Sequence, residues 1–120
     1  MNILDKDQIL AAEDLKTEVV PIPEWGGDVI VSEMSAADSE RWLMEAFDDE
    51  GKPTRRKAPT VQLAARCIVD ESGQRVFSEE DIEALAKKSP KAIGKVFSAA
   101  VRLNGLGAMT DEESDEHEKN

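Results

Sequence analysis

Few side chains in this sequence combine a reactive type with a spacing that serves covalent chemistry. A serine, threonine or cysteine nucleophile needs a base held beside it. The one cysteine is Cys67, and the one histidine, His117, falls in the run 110–120, TDEESDEHEKN. Six acids and one lysine make that run too polar to offset the entropy of ordering, so it is expected to be a disordered acidic tail. An imidazole on such a tail is not held in register with a thiol, and no catalytic residue is expected. The same acids lack calcium-loop or zinc-ligand spacing, so no metal site is expected. Trp25-Gly26-Gly27 lacks the strand-to-helix context and the later glycine of a dinucleotide loop, and reads as a hairpin turn with an aromatic lid; no cofactor is expected. Catalysis would need a pocket on which carboxylates such as Asp48, Asp49 and Asp70 converge.

What remains is binding. Tryptophan is enriched among interface anchors, which makes Trp25 and Trp42 candidates, although Trp42 at helical spacing with Ala46 and Phe47 has core packing as its default. Lys52, Arg55, Arg56 and Lys57 form the one local cationic patch; a solvated loop is the default, and docking of an acidic partner segment, or of the chain's own tail, is the alternative. These six residues are the candidate partner-binding set. The net charge of −11 argues against nucleic acid as a partner, because phosphate binding needs clustered cations. Five of those charges sit on the tail, which reads as solubilising, with a shield against premature assembly as the sharper reading. A lone cysteine between Ala64 and Ile68 indicates packing and a reducing compartment. The apolar run at the start is too short for a signal peptide, and no segment approaches a membrane span, so a soluble, intracellular protein is expected.

The elements that would position these groups are mostly helical. Residues 5–12 predict a short helix capped by Asp5 and Gln8, with Ile9 and Leu10 inward. Residues 18–22 and 28–31 are β-branched runs around a turn-rich segment and predict a hairpin, its first strand pushed to an edge by Pro21 and Pro23. Ser35 and Asp38 open a helix carrying Trp42, Leu43, Ala46 and Phe47, and Gly51, Pro53 and Pro59 mark a loop over 48–59. The next helix, 60–69, is apolar over more than half its circumference and belongs at the centre. After a turn at 70–75, Ser78 with Asp81 starts one helix near Glu79, and Ser89-Pro90 starts another. Ile93, Val96, Phe97, Ala100 and Val101 form the buried stripe of this last helix, and Gly105 ends it. The fold class is therefore mainly α with a small β-hairpin (α+β): about five helices in one domain over 1–109, then the tail at 110–120.

Two long stretches carry a resemblance. ILAAEDLKTEVVPIPEWGGDVIVSEMSAADSERW in front of the loop, and AARCIVDESGQRVFSEEDIEALAKKSPKAIGKVFSAAVRLNGL behind it, place the elements in an order that resembles the tail assembly chaperones of siphovirus bacteriophages, whose long tails are noncontractile. The likeness runs from about residue 9 to 106. It implies a non-enzymatic factor of virion morphogenesis that binds the tape-measure protein and keeps it soluble in the host cytoplasm until tube subunits polymerise around it, and that is absent from the finished virion. It also implies self-association into oligomers, and a longer product of translational frameshifting that recruits the tail-tube protein; this chain resembles the short product. The alternative from another class is a small intracellular adaptor or regulator that binds one partner through the basic loop.

Overall fold

In the computed structural model, residues 2–46, 48–52 and 59–106 are described. The chain forms α1 (Lys6–Ala11), β1 (Thr17–Ile22), a 3-10 turn (Pro23–Trp25), β2 (Gly27–Ser32), α2 (Ala36–Ala46), α3 (Pro59–Cys67), β3 (Ile68–Val69), a second 3-10 turn (Glu79–Asp81), α4 (Ile82–Leu85) and α5 (Pro90–Leu103). The sheet is antiparallel, in the order β1-β2-β3. α5 packs on β1 and β2, α3 packs on α5, and α2 and α4 pack on α3. The α+β class predicted from the sequence is the one observed. Phe47, the side chain of Ala46, residues 53–58 and the acidic run 110–120 lie outside the described residues.

The hairpin follows from strand periodicity. Val20 and Ile22 alternate inward under α5 while Val19 and Pro21 face out, and Thr17↔Ser32 through Ile22↔Gly27 set the register. The 3-10 turn closes on Gly26, whose φ of +75° favours glycine. β1 is an edge strand, as Pro21 within it favours.

The third strand corrects the sequence reading. The helix expected over 60–69 stops at Cys67, and Ile68 and Val69 pair with Val31 and Ile30 on the free edge of β2. Both residues are β-branched, and the unpaired donors and acceptors of β2 outweigh one more half-turn of helix. The following turn is closed by Asp70, whose carboxylate accepts from the N–H of Ser72 (2.9 Å) and of Gln74 (3.0 Å) and from the Ser72 hydroxyl (2.6 Å). These hydrogen bonds, that of the Ser72 hydroxyl foremost, hold the Asp70 carboxyl below its usual range.

α3 occupies the centre, as expected: Leu63, Ala64, Ala65 and Cys67 are fully enclosed, and its alanines let neighbouring helices approach closely. α5 buries Ala92, Ile93, Val96, Ala99 and Ala100, with Phe97 and Val101 half-buried beside them. It ends in a Schellman motif: Gly105 has φ +66°, the Leu106 N–H donates to the Val101 carbonyl (2.9 Å), and the Gly105 N–H to that of Arg102 (3.4 Å).

α1 departs from expectation. The capping box forms, with the Gln8 N–H donating to Asp5 Oδ1 (2.9 Å) and the Asp5 N–H to Gln8 Oε1 (3.0 Å). Ile9 and Leu10 nevertheless do not turn inward; they are 56% and 73% exposed, and every residue from 2 to 17 is exposed. The physical reason is that α5 already covers β1 and β2, so the body offers α1 no vacant inner face.

One polar side chain ties the ends of three elements together. Asn104 Oδ1 accepts from the Met34 N–H just beyond β2 (2.7 Å), while its Nδ2 donates to the Ala100 carbonyl (2.8 Å) and approaches the Cys67 sulfur at the end of α3 (3.5 Å). Replacing Asn104 with Ala strands a half-buried N–H, so unfolding in urea should show a loss of about 1–3 kcal/mol with an unchanged m value.

Candidate partner-binding surface

The two tryptophans have different surroundings. Trp42, on α2, is only 5% exposed, and its indole N–H donates to the Pro59 carbonyl (3.1 Å), which seats α2 over the start of α3. Trp25 closes the hairpin and is half-buried, its ring resting against the core. It forms a wall between two hollows. One, of about 420 Å³, is lined by Glu24, Trp25, Phe77, Ala84, Leu85 and Lys88. The other, of about 520 Å³, spreads over the outer face of the sheet between Val19, Ile30, Val69 and Val76. Trp25 and Phe77 line both, and Trp42 lines neither. The hairpin turn and the start of the 3-10/α4 segment thus meet in one open, largely apolar groove.

Ion pairs brace the wall of that groove. Lys95 of α5 donates to both carboxylate oxygens of Glu24 (2.8 and 2.9 Å), and this contact holds the Glu24 carboxyl below its usual range. Arg102 pairs in the same way with Glu18 of β1. The entry to α4 is closed by Asp81, which accepts from the N–H of Ser78 (2.8 Å), and Phe77 and Ile82 flank it against the core as a hydrophobic staple requires.

A second cluster went unread in the sequence. Arg66 lies within the apolar helix α3 and is 2% exposed; its Nη2 donates to Glu45 of α2 (2.7 Å) and to Glu79 (2.9 Å), and Asp38 stands 3.9 Å from Nη1. Three carboxylates around one enclosed guanidinium join α2, α3 and the second 3-10 turn. The available signal was a single charge inside the run Leu63 to Ile68, where no solvent-facing position exists.

The carboxylates singled out for possible catalysis do other work. Asp70 closes its turn, and Asp48 accepts from the N–H of Glu50 (2.9 Å) and of Lys52 (2.8 Å) in the loop after α2. Of Asp48, Asp49 and Asp70, Asp70 alone borders the sheet-face hollow. Lys52 is exposed, with Glu50 at 3.8 Å, whereas Arg55, Arg56 and Lys57 lie outside the described residues. No group of three His, Cys, Asp or Glu side chains among the described residues is placed to hold a metal ion, and no described helix is long and apolar enough to cross a membrane.

The chain is thus a small α+β body with an open apolar groove and closed polar clusters. The model of one protein family, the phage tail assembly chaperones, matches residues 6–120. The chain belongs to that family. Among solved structures, the tail assembly chaperone of bacteriophage HK97 superposes with a TM-score of 0.59 at 23% identity, over 81% of this chain and 94% of that one; this likeness concerns the fold. No curated protein matches the chain.

Burial pushes the Cys67 thiol up to about 12 from an ordinary value near 9, so the folded protein keeps a proton that the unfolded chain loses first. The stability this contributes is complete below about pH 9 and falls as the pH rises towards 12. The urea midpoint should therefore drop more steeply between pH 8.5 and 11 in the native sequence than in Cys67→Ala, and a maleimide should label Cys67 only on unfolding.

Proposed function

We propose that this protein is a non-enzymatic, multi-copy chaperone that keeps the tape-measure polypeptide soluble in the host cytoplasm until tail-tube subunits assemble around it. The observation that carries this reading is the family match over nearly the whole chain. A longer, frameshifted form would recruit the tail-tube protein, and neither form would remain in the finished virion.

The distribution of surface chemistry supports the reading. The core is closed, yet Met44 on α2 is 81% exposed, and the sequence carries Lys52, Arg55, Arg56 and Lys57 close together on an otherwise acidic protein. A flexible exposed thioether and a cationic stretch of sequence suit loose, reversible contact with an extended polypeptide whose surface alternates apolar and acidic groups. Trp42 contributes from beneath, by holding α2 against α3. Many such contacts along one chain add through effective concentration while each remains easily displaced, as a factor that must leave requires.

Co-expression with the tape-measure polypeptide of the same phage tests the proposal. The soluble fraction of the tape measure should rise several-fold and co-purify with many copies of this chain. Reversing the four loop charges to Glu should cut that recovery without lowering the thermal midpoint. A tape measure equally insoluble with and without this protein would end the reading.

A further inference from the structure

From the contacts that hold one amide at the end of α5, we infer that Asn104–Gly105 is a modification site, a deamidation junction that the fold keeps shut and whose reaction undoes the packing around it. The site belongs to the chain alone and needs no partner.

The chemistry resides in two adjacent residues. Asn104-Gly105 is the one Asn-Gly pair in the sequence. A peptide nitrogen that follows an asparagine can attack the side-chain carbonyl carbon, and glycine, with no side chain to obstruct the approach and a freely turning backbone, permits this best. The Gly105 nitrogen loses its proton to solvent and forms a bond to Asn104 Cγ; the Cγ–Nδ2 bond breaks, and Nδ2 leaves as ammonia after taking a proton from water. The resulting cyclic imide then takes up one water. Opening at one carbonyl leaves aspartate, and opening at the other leaves isoaspartate, in which the backbone runs through Cγ. No electrons are exchanged, and water is the co-reactant.

The folded chain denies this reaction its geometry. Asn104 Oδ1 accepts from the Met34 N–H (2.7 Å), and Nδ2 donates to the Ala100 carbonyl (2.8 Å) and lies 3.5 Å from the Cys67 sulfur. Both ends of the amide are therefore fixed. Asn104 has φ −89° and ψ 1°, which turns the Gly105 nitrogen well away from Cβ, whereas ring closure requires the two to be eclipsed. Rotating that peptide would break the turn that follows. There Gly105, at φ +66°, donates to the Arg102 carbonyl (3.4 Å), the Leu106 N–H donates to that of Val101 (2.9 Å), and the Leu106 side chain packs against the core. The imide can form only when the last turn of α5 lifts away from Met34 and Cys67.

The product does not fit the place it came from. In aspartate a carboxylate oxygen replaces the Nδ2 donor and faces the Ala100 carbonyl with no proton to give. Isoaspartate adds a methylene to the backbone, so the turn of residues 101–106 loses its register. Each opening that reacts therefore makes the next one easier, and the loss is irreversible.

Peptide-mapping mass spectrometry of the full chain tests this, with samples held native or unfolded in guanidinium chloride at the same mildly alkaline pH and temperature. It reads the aspartate and isoaspartate gained at Asn104 against those gained at Asn2, which is followed by Ile3. In the unfolded chain Asn104 should convert roughly tenfold or more faster than Asn2, and by a similar factor faster than Asn104 in the native chain. Leu106→Ala loosens the last turn and should raise the native rate several-fold while leaving the unfolded rate unchanged. Should that variant not fold, the native sequence in denaturant below its unfolding transition should show the same rise. The deamidated fraction, separated by ion exchange, should unfold at a lower denaturant concentration than the amide form. Equal rates at Asn104 in native and unfolded chains overturn the inference, as does an unfolded chain in which Asn104 converts no faster than Asn2, or a deamidated protein as stable as the native one.

Discussion

The fold depends on one constraint: α3 is enclosed on every side. From Gln62 to Cys67 six consecutive residues are buried, so this helix has no face on which to place a polar group. Its neighbours are consequently committed. α5 lies between it and the sheet, α2 and α4 cover its other sides, and the chain leaving it must pair at once with β2. Arg66 is the cost of an arginine at such a position. Its guanidinium is answered by Glu45, Glu79 and Asp38 from two surrounding elements, and removing those partners would leave an uncompensated buried charge. Beside it, in the same last turn of α3, Cys67 meets Asn104, which also gathers Met34 and Ala100, so the final helix is locked to the strand and to α3 by a single amide.

Much of this was legible because it is local. The stops and starts at Ser78 with Asp81, Ser89-Pro90 and Gly105 depend on hydrogen bonds between residues a few positions apart, and each occurs where its residues stand. The hairpin also followed from alternation and turn residues. β3 did not, because two β-branched residues at the end of an apolar helix differ from helix only when the free edge of β2 is present. α1 illustrates the opposite limit. Its caps were readable and its helix forms, but the direction of Ile9 and Leu10 depends on whether the body has a vacant face.

The candidate surface was legible only in part for the same reason. Trp25 was singled out as a large side chain at a turn; Phe77 stands 52 positions away, and only the fold sets the two side by side. Trp42 has the opposite history, being chosen for its size and lying under α2 with its N–H on Pro59. Arg66 and Asn104 carry part-buried polar contacts between elements, and neither was singled out from the sequence as a site residue.

The central claim, a body closed around α3 with α1 held apart, is tested most directly by residue-resolved native-state hydrogen exchange on the dilute protomer. The account predicts that amides of Leu63 to Cys67 exchange only through global unfolding, with a dependence on urea equal to that of the whole domain, and that amides of Lys6 to Ala11 exchange orders of magnitude faster. Slow exchange in α1 equal to that of α3, or loss of protection in α3 through a local opening insensitive to urea, would contradict it.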